Sequence, residues 1–274
     1  MSWAPKSATP PPGYAYGPRY RPSWLNIARG IYYIARGEPR SLARDAAYVL
    51  PDTPIPPLVR GGDNVPETGP LVLACNHYER PGLWMAWPAL IAASLTLHRT
   101  GRDTHWVAIE EWESFSFHGI PIPPPVIRAA FARAFATYGI LAMPAPNAPA
   151  AERAAAIRAA TRLVRDDGII GLMPEGTIGS TPELLPTPEG VGTFLLLLAA
   201  AGARILPTGL FEEDGRLVVR YGAILPLDVR DVPKGERDAW VRRRVMLAIR
   251  DLLPLPLWGI YRDVTDPDRD RTAP

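Results

Sequence analysis

At 274 residues and 47% hydrophobic content, the chain is long enough to bury a sizeable core and fits one large domain. A formal net charge of +2 gives no footing for a nucleic-acid partner. The single cysteine, Cys75, excludes a disulfide framework and points to the cytosol.

Residues 1–22 carry Pro5, Pro10, Pro11, Pro12, Pro18 and Pro22 and read as a flexible arm. They lack a charged start followed by an apolar stretch, so no signal peptide is expected. Ser23 to Gly37 predicts an amphipathic helix. Ser23 can cap it; Trp24, Ile27, Ile31 and Ile34 or Ala35 share a face, with Arg29 and Arg36 off it. Two placements stay open for it: packed on its own domain, or lying in a membrane interface with Tyr32 and Tyr33. With its linker the segment runs to residue 56.

Residues 57–253 alternate apolar runs with polar turns and helical patterns. Leu71 to Cys75 reads as a buried strand and leads into Asn76-His77. The uncharged stretch Pro81 to Leu97, broken by Pro88, reads as a buried helix rather than a membrane span. A helix is expected over Ala150 to Arg165. A second buried strand, Gly168 to Met173, leads into Pro174-Glu175-Gly176-Thr177. Apolar residues Val191 to Ala203 precede a strand Arg204 to Leu210 that contains Pro207. A strand from Leu217 and a helix from about Glu236 to Leu253 follow; residues 254–274 form a C-terminal tail, of which Arg262 to Pro274 reads as loose. This alternation predicts a single α/β domain with a mixed, mostly parallel sheet flanked by helices, its chemistry at the carboxyl ends of the strands.

The Asn76-His77 turn, the Pro-Glu-Gly-Thr turn and the strand ending at Pro207, in that order, resemble the glycerophospholipid acyltransferase superfamily. Its best-known member is 1-acyl-glycerol-3-phosphate acyltransferase. The resemblance covers roughly Pro57 to Leu253. It implies an O-acyltransferase in which His77 removes a proton from a lipid hydroxyl. That hydroxyl then attacks an acyl thioester of coenzyme A or acyl carrier protein. Asn76, Arg80, Glu175, Gly176, Thr177 and Pro207 would bind substrate, with Glu175 orienting its neighbours. No metal and no further cofactor is implied. The expected location is cytoplasmic, with contact to the cytoplasmic face of the membrane.

Three positions depart from the family pattern. The Asp that follows the family's His by five residues, and orients it, is here Gly82. The Arg after the Pro-Glu-Gly-Thr turn is Ile178. The Gly-led second motif, Tyr138 to Ala145, holds no phosphate-binding Arg. His98 and Asp103 reproduce the His–Asp spacing, but without a preceding Asn or buried strand they read as a decoy. Glu79 is the nearest carboxylate in sequence that could replace the missing Asp, and Glu110, Glu111 and Glu113 are more distant candidates. Trp84 and Trp87 read as core or as an acyl-groove wall, and His105 and His118 stand isolated. Arg242, Arg243 and Arg244 read as a solvated face or a contact for anionic lipid. Backbone N–H groups beside His77 or Glu175 would serve the oxyanion. Losing the dyad Asp keeps two alternatives open: a pseudoenzyme that binds lipid or a partner, and a thioester hydrolase. A carboxylate at His77 Nδ1 would favour an enzyme.

Overall fold

The computed structural model describes residues 23–47, 56–80, 83, 86–109, 115–117, 120–145, 147–177, 179 and 181–265. The Pro-rich arm, the end of the tail, Gly82, Trp84, Glu110, Glu111, Glu113, His118 and Ile178 lie outside the described residues.

Seven strands form one sheet in the order β1-β9-β8-β2-β7-β3-β6. They are β1 (Leu58–Arg60), β2 (Leu71–Cys75), β3 (Thr104–Ile109), β6 (Leu141–Met143), β7 (Ile169–Leu172), β8 (Arg204–Glu213) and β9 (Arg216–Tyr221). Every pairing is parallel except the β8–β9 hairpin, which makes the sheet mixed but mostly parallel. A separate two-stranded piece joins β4 (Phe115–Phe117) to β5 (Ile120–Ile122). The helices are α1 (Trp24–Arg36), α2 (Leu42–Ala47), α3 (Ala86–Thr100), α4 (Pro124–Tyr138), α5 (Ala150–Arg165), α6 (Val191–Ala200) and α7 (Arg237–Arg250).

The central strands explain their own sequences. β2 and β7 are buried along their whole length, and β8 is buried from Ile205 to Glu212. Strands covered on both faces need unbroken apolar runs rather than alternation. Pro207 lies just before the ladder to β9 begins at Thr208: its carbonyl accepts from Gly222 at 2.9 Å, and the reciprocal bond, which would need the N–H that proline lacks, is the one where the ladder stops. Pro88 sits in the first turn of α3, where an absent N–H costs little, and α3 is largely buried.

Parallel register sets up the site. Ala74 of β2 lies opposite Leu172 of β7. His77 and Glu175 each follow that pair by three residues. Neighbouring strands run about 4.8 Å apart, so both side chains emerge side by side at the same carboxyl rim. The Pro-Glu-Gly turn is closed by Gly176 N–H donating to Met173 O at 3.1 Å, with Pro174 at the position where its fixed φ suits such a turn. Gly176 then takes the left-handed region at φ 64°.

The C-terminal tail begins packed, ahead of the stretch from Arg262 that is expected to be loose. Short 3-10 turns over Leu255–Leu257 and Gly259–Tyr261 pack on the core, with Leu257 and Tyr261 buried. Leu184 N–H donates to Leu257 O at 3.0 Å, and Trp258 Nε1 donates to Leu253 O at 3.0 Å. The segment is held because it braces the loop 181–188 that follows the Glu175 turn. Gly259 makes the brace possible: at φ 49°, a Cβ there would stand 2.2 Å from the Leu184 carbonyl oxygen. Gly259→Ala is therefore expected to lower unfolding free energy by about 1–3 kcal/mol in urea titration. Unchanged stability would contradict this packing.

Candidate functional site

Beyond β2 the chain stays extended through Asn76, His77, Tyr78, Glu79 and Arg80, so alternate side chains point to opposite sides. Asn76, Tyr78 and Arg80 are buried and turn toward β8. Asn76 clasps the Leu210 backbone, donating from Nδ2 to the carbonyl at 2.9 Å and accepting from the N–H at 2.8 Å. Arg80 donates to Glu212 from Nε at 2.8 Å and from Nη2 at 2.7 Å, and Tyr78 Oη donates to the same carboxylate at 3.1 Å. Arg80 and Leu83 exchange backbone bonds at 3.2 and 2.9 Å, which closes the end of this stretch.

His77 points the other way and meets Glu175. The ring Nδ1 lies 3.1 Å from Glu175 Oε2, and the His77 backbone N–H donates to the same oxygen at 2.5 Å. Glu175 Oε1 accepts the Leu185 N–H at 2.9 Å. The carboxylate is 1% exposed and the imidazole 10% exposed. A carboxylate can only accept, so the proton on Nδ1 belongs to the histidine. Nε2 is then the basic nitrogen, and it faces the rim rather than a protein partner among the described residues.

Several sequence expectations change at this point. The carboxylate on Nδ1 is Glu175, not Glu79, because extended geometry and strand register bring residue 175 alongside residue 77. Arg80 does not face the site as a phosphate ligand; its guanidinium, 2% exposed, is held two-fold by Glu212. Asn76 and Pro207 are buried parts of the sheet end rather than open binding groups. Gly176 shapes the turn, and Thr177 is exposed at the rim. The backbone N–H groups of His77 and Gly176 are taken by Glu175 and Met173, so neither is available to an oxyanion.

The decoy pair lies elsewhere. His98 is exposed at the end of α3, and Asp103 accepts from Ser41 Oγ just before β3 begins. Both sit at the amino ends of the strands, opposite the rim that carries His77. His105 is tied through Nδ1 to the Gly139 carbonyl at 2.8 Å, and Trp87 packs against the core. Cys75 precedes the site but is no nucleophile: burial first, then the nearby Glu175 charge, push its thiol well above the usual range.

Sequence reasoning passed over Glu212, a charged residue inside the apolar run of β8. Such a residue in a buried strand is itself a signal that a cation must meet it. Leu185, whose amide holds the second oxygen of Glu175, carried no signal because a backbone N–H leaves no mark in the sequence.

A solved structure similar to this chain is the 1-acyl-sn-glycerophosphate (LPA) acyltransferase PlsC from Thermotoga maritima. It shares 14% identity at a TM-score of 0.45, over 83% of this chain and 88% of that one. At that level the similarity transfers no residue role. No family model and no curated protein matches the chain.

The Arg80–Glu212 pair yields a direct test. Removing one partner of a buried ion pair leaves an uncompensated charge, which costs about 3–5 kcal/mol. Arg80→Met and Glu212→Gln should each lose about that much, while Arg80→Met with Glu212→Gln should lose clearly less than the sum. Additive losses in denaturant titration would show that the two side chains do not depend on each other.

Proposed function

We propose that the chain is an O-acyltransferase with His77 as general base and Glu175 as the residue that positions it. The observation that carries this reading is the buried carboxylate on His77 Nδ1, with Nε2 presented at the strand-end rim. The acyl donor is a thioester of coenzyme A or acyl carrier protein. The acceptor is a hydroxyl of a lysophospholipid, glycolipid or related lipid.

In the reaction, Nε2 takes the proton of the acceptor hydroxyl as its oxygen attacks the thioester carbonyl carbon. The tetrahedral intermediate collapses by breaking the carbon–sulfur bond, and the thiolate leaves with the proton returned from the imidazolium. Throughout, Glu175 holds the ring in one tautomer and faces the positive charge that develops on it, the role a triad carboxylate plays for a catalytic histidine. With Arg80 engaged by Glu212 and no Arg in residues 138–145, acceptors that do not depend on a phosphate fit the site better than those that do. The carboxylate on Nδ1 favours an enzyme over a pseudoenzyme on the same scaffold.

Thioester consumption across hydroxyl-bearing lipids, with products identified by mass spectrometry, tests the reading. Acyl ester should form, and His77→Ala should abolish it without altering the melting temperature. Glu175→Gln should lower turnover by about a thousandfold or more, and Glu79→Gln should stay near wild type. Thioester loss at equal rate with and without acceptor would make the protein a hydrolase. Full transfer by Glu175→Gln would remove the assigned role of that residue.

A further inference from the structure

The three consecutive arginines of α7 do not form one solvated face. Arg244 is buried, Arg242 half-buried and Arg243 exposed, because successive helix positions point about 100° apart. Arg242 donates from Nε to Asp238 Oδ2 at 2.8 Å and from Nη1 to the Thr187 carbonyl at 2.9 Å. Asp238 in turn accepts from the Gly190 and Thr193 amides at the start of α6, at 3.2 and 2.8 Å. Arg243 donates from Nη2 to the Thr265 carbonyl at 2.6 Å and pairs with no carboxylate among the described residues.

Between these groups lies a cavity of about 330 Å³, bordered by Pro186, Thr187, Arg242, Arg243 and Tyr261. Small-molecule sites begin at roughly 300 Å³. The polar side chains on its walls can all donate: two guanidinium groups, the Thr187 hydroxyl and the Tyr261 phenol, with no carboxylate among the bordering residues. Thr187 is 6% exposed, and its Oγ1 is buried with no hydrogen-bond partner among the described residues. The Tyr261 hydroxyl approaches it without reaching hydrogen-bond geometry. A buried hydroxyl left unpaired is unfavourable, and a ligand oxygen in the cavity satisfies it.

The donor set selects the ligand. It converges from the loop 181–188, from α7 and from the C-terminal turn, so an acceptor with oxygens in several directions fits better than a planar carboxylate. After its bond to Thr265, Arg243 keeps N–H groups that suit the oxygens of a phosphate. The cavity also touches the site already described through a short stretch of chain. Thr187 is two residues from Leu185, whose amide donates to Glu175 Oε1 at 2.9 Å, and Glu175 holds the His77 ring. Neither His77 nor Glu175 borders the cavity, so its ligand lies apart from the imidazole.

We propose that this cavity binds a small phosphate-bearing ligand, and that occupation steadies residues 184–187 and with them the hold of Glu175 on His77. Its effect on turnover rests on the acyl-transfer reading; binding and its reach to His77 do not. Isothermal titration calorimetry of the full chain with pyrophosphate, at fixed ionic strength, reads the binding. Arg243→Gln and Thr187→Val, made separately, should each weaken it about tenfold or more. Arg158→Gln, on the exposed side of α5, should bind as wild type does. Saturating pyrophosphate should shift the His77 imidazole nitrogen signals in wild type, and the same concentration should leave them in place in Arg243→Gln. It should also raise acyl transfer about fivefold or more. Coenzyme A titrated into the pyrophosphate complex separates two sources of the phosphate: no displacement marks a free effector, and displacement places a phosphate of the acyl donor here. Absence of pyrophosphate binding, or an equal loss in Arg158→Gln, overturns the site. His77 signals that stay fixed at saturation overturn its link to the base, whatever the activity. Binding and shifted signals without any acyl transfer would strike the acyl-transfer reading and leave the site standing.

Discussion

One carboxylate, that of Glu175, accepts three N–H groups from two parts of the chain: the His77 amide and ring, and the Leu185 amide. The first fixes where the chain leaves β2, and the second fixes the imidazole's tautomer and direction. The third fixes the loop that the C-terminal turns brace through Leu184 and Leu257. A buried carboxylate without such donors would be costly to hold, whereas with them it organises everything around it. The C-terminal turn is thus three contacts from His77: Leu257 to Leu184, Leu185 to Glu175, and Glu175 to His77.

The opposite side of the same stretch is secured with comparable economy. Because residues 76–80 are extended, their even-numbered side chains all fall toward β8 and find the Leu210 backbone and Glu212 there. The backbone of His77 is consequently held between two anchored neighbours, and its ring by the bond to Glu175. The carboxylate that meets the His77 ring comes from the turn after the neighbouring strand, β7.

Much of the fold was legible from residues 71–77 and 168–177, because short apolar runs, each followed by a polar turn, read as buried strands. The class of fold follows from that pattern; the attention to His77 and to the Pro-Glu-Gly-Thr turn came from the resemblance those residues carry. The partnership of His77 with Glu175 does not, since it depends on register: slipping β7 by one residue would turn Glu175 to the other face. Proximity in sequence favoured Glu79 and Arg80, yet in an extended chain adjacent residues point apart. The packed turns at 255–261 left no mark in the sequence, because their anchoring is made by backbone groups and by Leu257. Helix α1 was legible as amphipathic, but which way its apolar face turns is a tertiary fact.

The claim on which the account turns is that Nδ1 of His77 is protonated and bonded to Glu175, leaving Nε2 as the base. Long-range ¹H–¹⁵N correlation spectra of the imidazole nitrogens, assigned by comparison with His77→Ala, report this directly. Neutral His77 is expected to be the Nδ1–H tautomer, and Glu175→Gln is expected to shift or mix the signal. A His77 ring that carries its proton on Nε2 in the wild-type chain would contradict it.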